Sequence, residues 1–279
     1  MKAVSECYPC LCRLVHQAAA LATDDEELKA EAIREGLRVI DENFSADVTT
    51  IAIATEIHQI VKEITANPDP YRGVKDEEIR ISRELISEVS PAYPQDFKGY
   101  LALSALGNVI DFFRDFDTIR GDMRGKVEFL IDDSDKFKRK LEKATNVLLL
   151  ADNSGEVFFD LPLVKWMARS ARVTYVVKES PVQDDTTLDD LRIAGIEGEL
   201  DRVITTGTAT PGVLLHLASD EFKREFAAAD LILAKGMGYY EALSEFPSDG
   251  RILYCLMAKC QPVADSIGVP LNSYVAMLR

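Results

Sequence analysis

The hydrophobic positions change their spacing about half-way along the chain. In the first half they recur every three or four residues: Leu28, Ala32, Ile33, Leu37 and Ile40, then Ile51, Ile53, Ala54, Ile57, Ile60, Val61 and Ile64. That period lines one face of a helix and predicts helices over 27–42 and 50–66. Asn67-Pro68-Asp69-Pro70 ends the second, because proline lacks an amide donor and disfavours helix in the residue before it. A further helix is expected over 76–89, stopped at Pro91-Ala92-Tyr93-Pro94, and a more apolar, buried one over 97–116.

After a charged helix around 132–143 the pattern becomes short, continuous apolar runs. They are Val147-Leu148-Leu149-Leu150-Ala151, Val173-Thr174-Tyr175-Val176-Val177, Arg202-Val203-Ile204-Thr205, Leu231-Ile232-Leu233-Ala234 and Ile252-Leu253-Tyr254-Cys255-Leu256. Unbroken apolar runs alternating with helices mean strands covered on both faces. The fold class expected is therefore α/β: an all-helical N-terminal domain, residues 1–140, and a doubly wound, mainly parallel sheet over 141–279.

Composition narrows the function. Of 279 residues, 32 are Lys or Arg and 47 are Asp or Glu, a net charge of −15, which argues against binding a nucleic-acid backbone or an anionic membrane surface. An anionic substrate needs local cations to overcome that field. No stretch approaches the roughly 20 apolar residues of a membrane span, and the first residues carry no apolar leader, so a cytoplasmic protein is expected. Cys7, Cys10 and Cys12 crowd the N-terminus while Cys255 and Cys260 lie far away, an odd set that does not resemble a secreted disulfide framework. The Cys7-x-x-Cys10 pair is open to a structural metal, with Cys12, Cys255 or Cys260 as a further ligand, or to buried or redox thiols.

In open α/β sheets the ligand lies beyond the carboxyl ends of the strands. There the sequence places Asp152-Asn153-Ser154-Gly155-Glu156, then Gln183-Asp184-Asp185, then Lys235-Gly236-Met237-Gly238. Asp152, Asn153 and either Asp184 or Asp185 are hard oxygen donors of the kind Mg²⁺ or Mn²⁺ takes. Lys235, on a glycine-flanked turn, is placed to meet a phosphate. The same residues also suit ordinary turns and helix caps, the second group as the N-cap of a helix beginning near Leu188.

Taken together these segments resemble the metal-dependent damage-control phosphatases first catalogued as domain-of-unknown-function-89 proteins. Gly107-Asn108-Val109-Ile110-Asp111-Phe112 matches the family's asparagine and aspartate motif, and Cys7-Tyr8-Pro9-Cys10 the N-terminal cysteine pair of its prokaryotic branch. The resemblance implies a helical domain on a Rossmann-like domain and hydrolysis of phosphate monoesters of small metabolites with Mn²⁺, Mg²⁺ or another divalent ion such as Ni²⁺ or Co²⁺. By position it implies Asp152, Asn153 and Asp185 as metal ligands and Lys235 as the phosphate contact. This chain departs from the family in Asp184-Asp185, where an Asn-Asp pair is usual, and in Tyr239, where asparagine is usual.

Asn108 and Asp111 fall on one face of the expected 97–116 helix, as a wall of the site or as a brace at the domain junction. Glu156 or Asp111 would serve as general base for attack by water, with Asp152 as covalent nucleophile the mechanistic alternative. Two rival functions are an S-adenosylmethionine-dependent methyltransferase and a non-catalytic, cysteine-anchored metal or redox sensor. A glycine-rich turn after the first strand, which nucleotide-type cofactors need, is absent from the sequence.

Overall fold

A computed structural model describes residues 1–109, 121 and 125–279. Its helices are α1 (Cys7–Ala22), α2 (Glu26–Asn43), α3 (Thr50–Thr65), α4 (Arg72–Val89), α5 (Phe97–Gly107), α6 (Ser134–Leu141), α7 (Val157–Met167), α8 (Leu188–Ile193), α9 (Asp220–Ala228), α10 (Gly236–Leu243) and α11 (Gln261–Ile267). Side-chain caps fix several starts. Asp25 accepts from the amides of Glu27 and Leu28, Thr49 from Ala52, and Asp96 from Gly99.

Seven strands form one sheet: β1 (Phe129–Asp132), β2 (Asn146–Leu150), β3 (Arg172–Val177), β4 (Val203–Thr205), β5 (Leu231–Lys235), β6 (Ile252–Met257) and β7 (Tyr274–Leu278). The order is β1-β7-β6-β5-β2-β3-β4, with every pairing parallel except β6 with β7. The five apolar runs are β2 to β6. Residues alternate between the two faces, so Val147 and Leu149 enter one core and Leu148 and Leu150 the other. Helices α5, α6 and α7 cover the first face through Phe97, Leu101, Phe137 and Leu163. The opposite face is covered by α9, α10 and α11 through Phe222, Tyr239, Leu243 and Val263.

The structure differs from the expectation in particular places. Two strands are additional to the five expected: β1, Phe129-Leu130-Ile131-Asp132, and β7, Tyr274-Val275-Ala276-Met277-Leu278, are short apolar runs that the sequence reading leaves unassigned. β1 is an edge strand that leaves Leu130 60% exposed, and the charged helix expected around 132–143 begins only at Ser134. β1 and α5 precede residue 140 yet both build into the sheet layers. The helix expected over 97–116 is described as far as Gly107, with Asn108 as its C-cap; the remainder, including Asp111, lies outside the described residues. No helix among the described residues is long and apolar enough to cross a membrane.

Helices α1, α2 and α3 form a separate core of Val15, Ala18, Ala32, Ile40, Ile57 and Val61. His58 on α3 is buried edge-on to Tyr71, with ring centroids 5.7 Å apart, and its Nε2 has no hydrogen-bond partner among the described residues. Burial, with a smaller push from Lys62, pulls its pKa down to about 3. The unfolded chain takes up this proton near pH 6.5, so folding stability is complete above that pH. It is lost as pH falls, until the folded histidine itself titrates near 3. Urea unfolding at pH 7 and pH 4.5 should show a larger acid loss for the parent than for His58→Phe, by up to about 1.4 kcal/mol per pH unit. Equal losses would mean that His58 is not buried neutral.

Candidate active site

β2 and β5 lie side by side, with Leu150 paired to Ala234, and the chain leaves them for opposite faces. That makes their carboxyl ends the topological switch point, where a crevice opens. Asp152 follows β2 there and Gly236 follows Lys235 of β5. Gly236 has φ +75°, and a Cβ on it would overlap the Asp152 carboxylate, so glycine is required on both conformational and steric grounds.

The loop after β3 folds back onto the loop after β2. Asn153 and Asp185 form an antiparallel bridge, the Thr186 amide and hydroxyl both donate to the Asp152 carbonyl at 2.9 Å, and the Ser154 amide donates to the Asp184 carbonyl at 2.8 Å. Asp152, Asn153 and Asp185 therefore converge, as expected. Thr187 caps α8 in a capping box with Asp190, so the helix-cap reading of this loop belongs to Thr187, leaving Asp184 and Asp185 at the crevice. All three converging residues line a cavity of about 500 Å³, together with Gln183 and Lys259.

Behind them is a buried ionic layer. Asn108 Nδ2 donates to Asp152 Oδ2 and to Glu156 Oε1, both at 2.9 Å, and its Oδ1 accepts the Met257 amide at 3.0 Å. It is thus a brace behind the site: it does not line the cavity but ties the end of α5 to the acids and to β6. Lys235 is completely buried: its ammonium donates to Glu156 at 2.8 Å, Asp160 at 2.6 Å and the Ser104 carbonyl at 3.0 Å. All three of its donors are used, and neither Lys235 nor Glu156 lines the cavity. Burial works against the Lys235 charge, but Asp160 and Glu156 outweigh it and hold its pKa above the ordinary lysine range. The structure thus places Lys235 as a counter-ion beneath the acids. Lys259, just after β6, faces the cavity in its stead.

Sequence reasoning missed Lys178 and Asp160. Lys178 is buried, 3.2 Å from Asp185 Oδ2, and donates to the Tyr239 hydroxyl at 3.1 Å and to the Gly212 carbonyl. Tyr239, the family's usual asparagine position, therefore holds Lys178 against Asp185. Lys178 lay in view at a strand end and Tyr239 after Lys-Gly-x-Gly, but pairing across β3, β2 and β5 has no local signal. The Asp152 carboxyl is pushed well up, first by burial and then by Glu156 and Asp185, with Lys259 and Lys235 opposing. Burial likewise raises Asp185, against Lys178.

Among the described residues no three His, Cys, Asp or Glu side chains are grouped to hold a metal by themselves. Asp152, Asn153 and Asp185 offer two carboxylates and an amide. Cys7, Cys10 and Cys260 border the cavity, while Cys255 is in the sheet core with its pKa pushed up to about 12 by burial.

The profile of the damage-control phosphatase ARMT1-like domain matches residues 3–275. The chain belongs to that family. A protein of Archaeoglobus fulgidus named damage-control phosphatase is 34% identical, covering 99% of both chains. A damage-control phosphatase of Pyrococcus horikoshii is 32% identical over 99% of this chain and 98% of its own. The crystal structure of a DUF89-family protein from Pyrococcus horikoshii superposes with a TM-score of 0.90 at 31% identity, covering 100% of this chain and 99% of that one.

Two substitutions test this site as a family member's. Lys235→Met strands two buried carboxylates and should lower unfolding free energy by about 3–5 kcal/mol in urea titrations; a loss under about 1 kcal/mol would show that the ammonium is not a buried counter-ion. Gly236→Ala should displace Asp152, seen as a shifted carboxylate in a crystal structure of the variant. An unmoved carboxylate beside the new methyl would contradict the packing described.

Proposed function

We propose that this chain is a damage-control phosphatase that hydrolyses phosphate monoesters of small metabolites, using a divalent cation held by Asp152, Asn153 and Asp185. The observation that carries the reading is the convergence of these three side chains on a cavity at the switch point, with a half-buried cation, Lys259, beside them on the cavity wall. The donor set fits the ion. All three are hard oxygen ligands of the kind taken by Mn²⁺ or Mg²⁺, and softer Ni²⁺ or Co²⁺ also accept such donors. Burial first, then repulsion from Glu156 and Asp185, lifts the Asp152 pKa, and a cation among these oxygens would relieve that repulsion.

A bound divalent ion would supply Lewis-acid polarisation of the phosphoryl group. The chain's own residues do the rest. Asn108 fixes the Asp152 carboxylate through Oδ2, and Lys178 fixes Asp185 from beneath. Lys259 meets the phosphate charge from the cavity wall and counters the net acidity locally. Glu156 is withdrawn from the role of general base, since its two oxygens accept from Asn108 and Lys235. Asp111, the other candidate base, lies outside the described residues, and Asp184 of the cavity wall is a further carboxylate placed to orient an attacking water.

Release of p-nitrophenol from p-nitrophenyl phosphate with Mn²⁺ tests the reading. Asp152→Ala and Asp185→Ala should each cut kcat/KM by about 10³-fold or more, and chelation should abolish turnover reversibly. Cys10→Ser should retain activity. No phosphate release over a panel of metals and monoesters, from protein shown to be folded, would contradict the proposal.

A further inference from the structure

One enclosed lysine takes no part in the phosphatase chemistry. Lys75 on α4 is completely buried, and its ammonium bridges two carboxylates, donating to Asp69 Oδ2 at 3.2 Å and to Asp190 Oδ2 at 3.3 Å. Enclosing an ammonium group is costly and needs partners this close. Asp190 is enclosed as well. Its Oδ1 accepts from Arg72 Nη1 at 2.6 Å, and its Oδ2 accepts the Thr187 amide at 2.8 Å and the Thr187 hydroxyl at 2.6 Å. Two cations of α4 therefore take hold of the first turn of α8.

What this grip reaches is the turn between β3 and α8. Asp185 lies two residues before Thr187 and two after Gln183, whose φ of +48° puts a non-glycine residue in the left-handed region. A turn of that kind keeps its shape when its surroundings impose it. The downstream end is fixed by the Thr187–Asp190 box, and so by Lys75 and Arg72; at the upstream end Lys62 of α3, half-buried, donates to the Pro181 carbonyl. None of Lys62, Arg72, Lys75 and Asp190 borders the acidic cavity. Their reach is through the backbone. The same turn sets the Asp184 carbonyl on the Ser154 amide and the Thr186 amide on the Asp152 carbonyl, the contacts that bring Asp185 against Asn153.

We propose that Lys75, acting through Asp190 and helped by Lys62 at the other end, is a positioning residue for the divalent ion: it clamps the 181–187 turn in the shape that brings Asp185 to Asp152 and Asn153, and so sets the affinity of the seat without touching it. Groups that orient metal ligands from behind typically account for about 10- to 100-fold in affinity. The sign of the effect separates a clamp from a field. Removing a positive charge near a cation's seat by itself favours the cation, so weaker binding in a variant that has lost an ammonium group reports geometry. The inference rests on the reading of Asp152, Asn153 and Asp185 as a metal seat.

Lys75→Met and Lys62→Met sever the two ends of the clamp separately, and each is compared with the parent as the full chain. Titration with Mn²⁺ followed by electron paramagnetic resonance, without substrate, should give a Kd weaker by about tenfold or more in Lys75→Met and by about threefold in Lys62→Met. Hydrogen exchange in the metal-free proteins should show the Ser154 and Thr186 amides less protected than in the parent, while the paired amides of β2 and β5 stay protected. Lys62→Met, the milder change, decides the matter alone if Lys75→Met does not fold. Mn²⁺ binding as tight as the parent's, or tighter, would overturn the inference and leave Lys75 with a stabilising role only. Failure of the parent itself to bind Mn²⁺ would instead sink the metal reading beneath it.

Discussion

Two lysines buried among four carboxylates hold the functional end of this molecule together. Lys235 pairs with Glu156 and Asp160, and Lys178 with Asp185, while Asp152 is left with the amide of Asn108. Removing such charges from water costs several kcal/mol each unless geometry and hydrogen bonding compensate, and here every Lys235 donor is used. Four carboxylates against two ammonium groups leave two negative charges when all are ionised. Asp152 and Asp185 face the cavity, where Asp184 adds a further carboxylate and Lys259 a cation.

Sheet order brings these charges together. Because β5 joins β2 on the side opposite β3, the ends of β2 and β5 touch, and the helices that follow them diverge to opposite faces. The contact is close enough that only glycine fits at 236. Asn108 then ties the end of α5 to β6 and to the acidic loop, so the helical part of the chain forms one wall of the crevice. Fold and site are in this sense one arrangement, since the residues that brace α5 against the sheet also orient the carboxylates.

Much of this was legible in the sequence where the physics is local. Unbroken apolar runs marked β2 to β6 because each is covered on both faces, and Asp152, Asn153 and Asp185 stood at strand ends, where the crevice of such a sheet must lie. β1 and β7 were hidden. The exposed Leu130 and the charges after it disguise β1, and β7, reached from β6 through the short helix α11, runs antiparallel to β6 and so breaks the parallel pattern. The setting of Lys235 was not legible either: a lysine on a glycine-flanked turn reads as a phosphate contact, and only the fold shows that Glu156, Asp160 and Ser104 take all three of its protons. Lys178 with Tyr239 could not be read at all, since their contact spans 61 positions of sequence.

The central claim is that the surplus of negative charge at the ends of β2 and β3 is a seat for a divalent ion. Anomalous diffraction from crystals grown with Mn²⁺ tests it most directly. The account predicts a single strong peak within coordination distance of Asp152, Asn153 and Asp185, absent in Asp152→Ala. A well-ordered site with no peak there, or a peak at the cysteines alone, would contradict it.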